Sequence, residues 1–176
     1  MAQAGDLLAD PLRGQKLVIR KTAKMTRGEV LEMEASYAPG SGAPPEHLHP
    51  EQEERFEVLT GCVHARVNGK ERIYRTGERF RIPPGMRHTM WNGGNEPARL
   101  LWETLPALDT ERFFETTFAL SRAGKTNAAG APNLLQSALL MQRYKREFRL
   151  ANPPRFVQTA IFGLLAPIAR LLGYRA

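Results

Sequence analysis

The sequence predicts an all-β sandwich or barrel over residues 1–108, followed by an α-helical extension over residues 109–176. Three observations carry this. Between Lys16 and Leu105 the chain is a succession of strand-sized runs broken by turns, with no helical stretch among them. Asn68-Gly69 stands between CVHARV and KERIYR, and Asn-Gly is a strong hairpin signal because a type I′ turn needs positive φ twice. After Pro106 the hydrophobic spacing lengthens from two residues to three and four.

Taken in order, the expected strands are KLVIR, VLEMEASY, RFEVL, CVHARV, ERIYR, RFRI, HTMW and ARLLWETL. VLEMEASY puts Leu31, Met33, Ala35 and Tyr37 on one face and Glu32, Glu34 and Ser36 on the other, which is strand alternation. Gly61, Gly77, Pro83-Pro84-Gly85 and Gly93-Gly94 mark the turns. The first helix is TERFFETTFALSR, capped at Asp109 or Thr110 and stopped at Gly124. A polar loop, GKTNAAGAP, separates it from a second helix, NLLQSALLMQRYKREFRLA, which ends before Pro153-Pro154. A third helix is expected from Pro154 to Leu172, with Pro167 kinking it.

A chain of 176 residues supports one domain with a substantial core, and 42% hydrophobic with 24% charged residues is ordinary for a soluble fold. A lone cysteine, Cys62, excludes an internal disulfide, and MAQAGDLLADPLRGQ shows neither a basic nor an apolar leader region. The expected compartment is therefore cytoplasmic. The net charge of +7 is unevenly placed: residues 1–110 hold 15 basic and 15 acidic side chains, whereas residues 111–176 hold 10 and 3.

Chemistry concentrates in PPEHLHPEQEERFEVLTG, Pro44 to Gly61, which contains two of the four histidines. In a strand, His47 and His49 point to the same side. Glu54 shares a face of the next strand with Phe56 and Val58, and GERFRIPPGMRHTMWN adds His88 after a Pro-Pro-Gly turn. Imidazoles and a carboxylate directed inward from separate strands suit a divalent Fe, Mn, Ni, Zn or Co ion. Strand parity sends Glu53, Glu57, His64 and Trp91 outward and leaves Glu51 at the rim.

These residues resemble a known family. His47-x-His49, four residues, Glu54, six residues and Gly61 are similar to the first cupin motif. Gly77, five residues, Pro83-x-Gly85, two residues, His88, three residues and Asn92 match the second at every defining position. The first motif departs at its leading glycine, since Gly40 and Gly42 lie one position either side of the expected place. The resemblance covers about residues 30–105. It implies a double-stranded β-helix, or jelly-roll barrel, with His47, His49, Glu54 and His88 holding one metal ion per chain.

Such a ligand set leaves one or two coordination positions open, which permits Lewis-acid, water or dioxygen chemistry. Proteins that look like this include dioxygenases, decarboxylases, isomerases, lyases and non-catalytic binding or sensory modules, so the fold does not choose the reaction. The expected pocket residues are Met33, Tyr37, Phe56, Val58, Phe80, Ile82 and Met90, a mostly apolar set suited to a small oxygen-bearing molecule that chelates the metal. Arg87 and Arg99 are placed at the rim. The favoured activity is a dioxygenase-type oxidoreductase; the alternatives are a metal-anchored ligand-binding or sensor module, or an isomerase, lyase or decarboxylase.

The resemblance also implies a homodimer. In the last helix, Val157, Ile161, Leu164, Ile168 and Leu171 recur at spacings of four and three, with arginines around them. Packing on the barrel or at a dimer interface is the favoured role, ahead of peripheral membrane contact through residues 154–175. No nucleic-acid partner is expected, because no recognition motif accompanies the charge.

Overall fold

A computed structural model describes residues 2–127 and 130–175. Ala128 and Ala129, in the loop after the first helix, lie outside the described residues. Two antiparallel sheets face each other in a jelly-roll. Alternation in the strands dictates the arrangement: Leu31, Met33, Ala35 and Tyr37 are all buried, and so are Ala98, Leu100, Trp102 and Thr104. The first sheet runs β1 (Leu7–Asp10), β2 (Gln15–Lys21), β3 (Leu31–Tyr37), β10 (Ala98–Leu105), β5 (Glu53–Thr60), β8 (Arg79–Ile82). The second runs β11 (Arg149–Leu150), β4 (His47–Leu48), β9 (His88–Trp91), β6 (Cys62–Val67), β7 (Lys70–Arg75).

The outer face of the first sheet is laced with charge. Glu34 accepts from both Arg20 and Arg99, Lys21 pairs with Glu32, and Glu57 pairs with Arg79. Arg99 is thereby committed outside the barrel and not at the rim of the pocket. The hairpin at Asn68-Gly69 forms as expected, with φ of 47° and 77°.

The first helix, α1 (Thr110–Arg122), has the expected bounds and drives Phe114 and Phe118 into the barrel core. Its start is tied down by buried Gln52, whose amide donates to Pro106 O, Ala107 O and Thr110 Oγ1 at 2.7, 3.1 and 2.7 Å. The second helix is shorter than its sequence suggests. It spans α2 (Leu134–Arg143), capped by Asn133 accepting from the Gln136 amide, and stops at Tyr144. The next residues turn and then form β11, which pairs with the edge of β4. Helix propensity over YKREFRL is overridden because β4 offers unpaired backbone groups and the barrel mouth offers burial to apolar side chains.

The third helix, α3 (Arg155–Leu171), runs through Pro167 and packs on α2 around Ala138, Leu139, Ala166 and Ala169. No described helix is long and apolar enough to cross a membrane.

Two glycines separate backbone strain from close packing. Gly61 has φ +75°, and a Cβ there would lie 2.7 Å from Pro97 O and 3.1 Å from the Ala98 Cα. Gly69 has φ +77° with nothing within 4 Å. Gly69→Ala should cost about 1 kcal/mol, the price of a left-handed alanine alone. Gly61→Ala should cost at least about 2 kcal/mol more, because backbone at the β10 edge must also move. Thermal denaturation of the two variants side by side checks the order.

Candidate metal centre

The four inward residues come from three strands and one turn. His47 is on β4, Glu54 on β5 and His88 on β9, where His47 and His88 are cross-strand partners. His49 follows β4 in the turn, and its carbonyl accepts from Gly85 N at 2.8 Å, which joins the two histidine-bearing segments. One nitrogen from each of His47, His49 and His88 lies within 4.8 Å of the others. The Glu54 carboxylate stands beside this three-histidine group, with Oε1 3.2 Å from His49 Nε2 and Oε2 3.0 Å from His88 Nε2.

Backbone carbonyls set the tautomers. His47 Nδ1 faces Pro45 O at 2.9 Å, His49 Nδ1 faces Glu147 O at 2.5 Å, and His88 Nδ1 faces Met86 O at 3.0 Å. A carbonyl only accepts, so each Nδ1 carries the proton and each Nε2 presents a lone pair to the centre. Burial, reinforced by the neighbouring imidazoles, pushes His47 down to about 3. Burial also depresses His49. For Glu54, burial acts upward, but the three imidazoles outweigh it and hold the carboxyl at about 2. In His88, burial acts downward and is outweighed by Glu54, so its value is raised.

Two atoms test whether a cation fits. His49 Nε2 and Glu54 Oε2 are buried without a hydrogen-bond partner among the described residues. An orphaned imidazole lone pair and carboxylate oxygen, aimed at one point, are costly unless something positive stands there. Trp102 holds Glu54 in place: its indole Nε1 donates to Oε1 at 3.1 Å. The donor set therefore fits a divalent transition metal.

The centre opens into a cavity of about 210 Å³. Of the expected pocket residues, Tyr37, Phe56 and Met90 line it. Met33, Val58 and Ile82 do not, and lie in the barrel core. Phe80 stacks between Phe56 and Tyr74, at centroid distances of 4.8 and 3.9 Å, away from the cavity. Parity fixes which side a strand residue faces, not how far along the barrel it sits. The cavity leaves the metal group towards the helices, so core residues at the other end are excluded.

The helical side supplies walls that β-strand reasoning missed. Phe113, Phe114 and Phe118 of α1, Leu140 and Met141 of α2, and Phe148 all line the cavity. Phe148 stacks on His47 at 4.9 Å and on Phe113 at 5.2 Å. The N-terminal arm adds Arg13 and Gln15. One signal was available for Trp102: it alternates with Leu100 and Thr104 on β10. Nothing local announced Phe148, because the segment reads as helix. The residues expected outside stay there: Glu53 pairs with Arg55, Glu51 with Arg146, and His64 stacks on Trp91 at the surface of β6 and β9.

Comparison with known proteins agrees with this geometry. Residues 33–103 match the Cupin domain family model. The chain is 35% identical over 69 residues to the tetracenomycin polyketide synthase protein TcmJ of Streptomyces glaucescens, covering 39% of this chain and 46% of that protein. It is 39% identical over 72 residues to germin-like protein 5-1 of Oryza sativa subsp. japonica, covering 36% of this chain and 30% of that protein. The chain thus spans less than half the length of these curated relatives. A solved RmlC-like cupin from Shewanella frigidimarina superposes with a TM-score of 0.52 at 17% identity, covering 63% of this chain and 92% of that one. Motif spacing, jelly-roll topology and inward histidines agree on one assignment: residues 33–103 match the Cupin domain family within a jelly-roll, and a helical extension follows.

Proposed function

We propose that this cupin is a metal-dependent enzyme of the oxygenase type, acting on a small, flat, oxygen-bearing organic molecule. The observation that carries the reading is the opening of a three-imidazole, one-carboxylate centre directly into an aromatic-walled cavity. His47, His49, Glu54 and His88 would hold the ion, which when bound supplies redox and Lewis-acid chemistry. Phe148, Phe113 and Phe114 offer ring faces to a planar substrate and keep water away.

The cavity is poor in acid–base machinery, which weighs against isomerase, lyase and decarboxylase chemistry. Outside the four ligands, its titratable lining groups are Arg13 and Tyr37. Burial, helped by Glu54, raises the Tyr37 phenol well above its ordinary value, so it serves as a donor and not as a base. Gln15 Nε2 donates to the Tyr37 hydroxyl oxygen at 3.0 Å. The phenolic proton is then directed elsewhere, and a substrate oxygen in the cavity is its natural acceptor.

The similarity to a polyketide synthase protein supports a substrate of fused-ring or polyketone character, but that match covers under half of the relative. The non-catalytic alternative remains a distinct outcome of one experiment. Protein loaded with Fe(II) is given catechols, 1,3-diketones and hydroxylated quinones while dissolved oxygen is followed. Uptake that disappears in His49→Ala supports the oxygenase; tight binding of the same compounds without uptake, in any metal form, replaces it with a ligand-binding module.

Two further outcomes concern the metal itself. Trp102→Phe keeps an aromatic ring but removes the donor to Glu54, and should weaken metal affinity about tenfold in a competitive chelator titration. The pH dependence follows from His88. Its value is raised, so below that pKa it is protonated and must lose a proton to ligate; His47 and His49 are depressed and are already neutral near pH 7. Affinity should therefore rise about tenfold per pH unit up to the His88 pKa, with about one proton released per ion, and then level off. Titration calorimetry in buffers of differing ionisation enthalpy counts that proton.

A further inference from the structure

The helix α3 is apolar on the side where a surface helix is normally polar. Its packed side holds Phe162, Leu165, Ala166 and Ala169 against α2. On the opposite side, Phe156, Leu164 and Leu171 are 75%, 71% and 88% exposed. At 100° per residue these three fall within an arc of about 80°, and Ala160 and Pro167, both exposed, fill the gaps between them. Ile161 and Ile168 widen the stripe along one flank. An apolar stripe of this length on a surface helix marks a contact with something outside the chain.

Charge decides what that something is. No acidic residue follows Glu147, whereas Arg149, Arg155, Arg170 and Arg175 do. Just before α3, Arg149 sits on β11, across β4 from the β9 strand that Arg87 precedes. Partial burial and then the positive charge of Arg155 and Arg87 lower the Arg149 pKa. Among the described residues, none of Arg87, Arg149, Arg155 and Arg170 is in an ion pair, whereas other surface arginines such as Arg20, Arg66, Arg79, Arg143 and Arg146 are. Like charges held together without a counterion make a site for anions.

We infer that the outward face of α3 docks on an anionic lipid bilayer, lying in the headgroup–acyl boundary with Arg170, at the edge of the exposed stripe, on lipid phosphate. A single convex helix offers no groove for a peptide's side chains, whereas a bilayer needs none. A second copy of this face would bring arginine against arginine with no acid to relieve it. At 17 residues the helix is about 25 Å long and lies in the interface plane without spanning it.

Flotation of the full metal-loaded chain tests this, using phosphatidylcholine vesicles with and without roughly one-third phosphatidylglycerol. The chain should float with the anionic vesicles, far less with neutral ones, and less as salt rises. Leu164→Glu with Leu171→Glu should abolish flotation, and Arg170→Gln should weaken it about fivefold. All three side chains are exposed, and circular dichroism with metal content confirms that the variants fold. Absence of flotation at any composition overturns the inference, as does unchanged binding by the glutamate variant. A dimer in light scattering that the same glutamates split, without vesicle binding, overturns it in favour of a second copy.

Discussion

Everything in the barrel depends on keeping the Glu54 carboxylate charged while it is sealed from water. It is 1% exposed, and an isolated carboxylate at such depth would take up a proton. The Trp102 indole N–H donates to it and the His88 imidazole, whose pKa it raises, stands 3.0 Å away, and each is held by its own support. Carbonyls of Pro45, Met86 and Glu147 hold the rings, and the β10–β5 register holds the indole, since Trp102 lies opposite Phe56. The rings are therefore held by backbone, with one nitrogen of each histidine within 4.8 Å of the others.

That dependence explains why the barrel's pattern was legible and the cavity's was not. His47, His49, Glu54 and His88 could be read from spacing because strand parity is rigid: a slip of one residue would have turned Glu53 inward, yet Glu53 is on the surface with Arg55. The hairpin at Asn68-Gly69 and the turn at Gly61 were legible for a similar reason, since each requires a backbone conformation few residues adopt. Tyr37, Phe56 and Met90, inward by parity, line the cavity. Met33, Val58 and Ile82 were equally inward, but depth along a barrel has no sequence period.

The region after Leu105 was the harder one, because its local signals compete with tertiary ones. YKREFRL has the composition of a helix, and nothing within it announces an open edge on β4 about a hundred residues earlier. Once paired, Arg149 and Leu150 turn Phe148 over His47 and bring Glu147 O to His49 Nδ1. The Glu147 side chain reaches back as well, accepting from the Asp109 amide at 3.1 Å. A segment that composition sets apart from the barrel thus supplies both a wall of its cavity and a support for a metal ligand.

The same region divides its labour at Ala151. Before it, Tyr144 and Glu147 are buried and Phe148 stacks on His47; after it, α3 meets the rest of the molecule along one stripe on α2 and turns the other stripe away. The joint is rigid: Gln158 donates to Leu150 O and Pro153 O at 2.9 and 2.6 Å, and Ala151 N donates to Glu46 O at 2.9 Å, one residue from His47. Whatever α3 rests on is therefore mechanically continuous with the segment that carries His47. The cavity's walls include Leu140 and Met141 of α2, the helix on which α3 packs. An apolar outer helix and an apolar inner cavity are then two consequences of one arrangement, in which the helical extension forms the greasy side of an otherwise charged barrel.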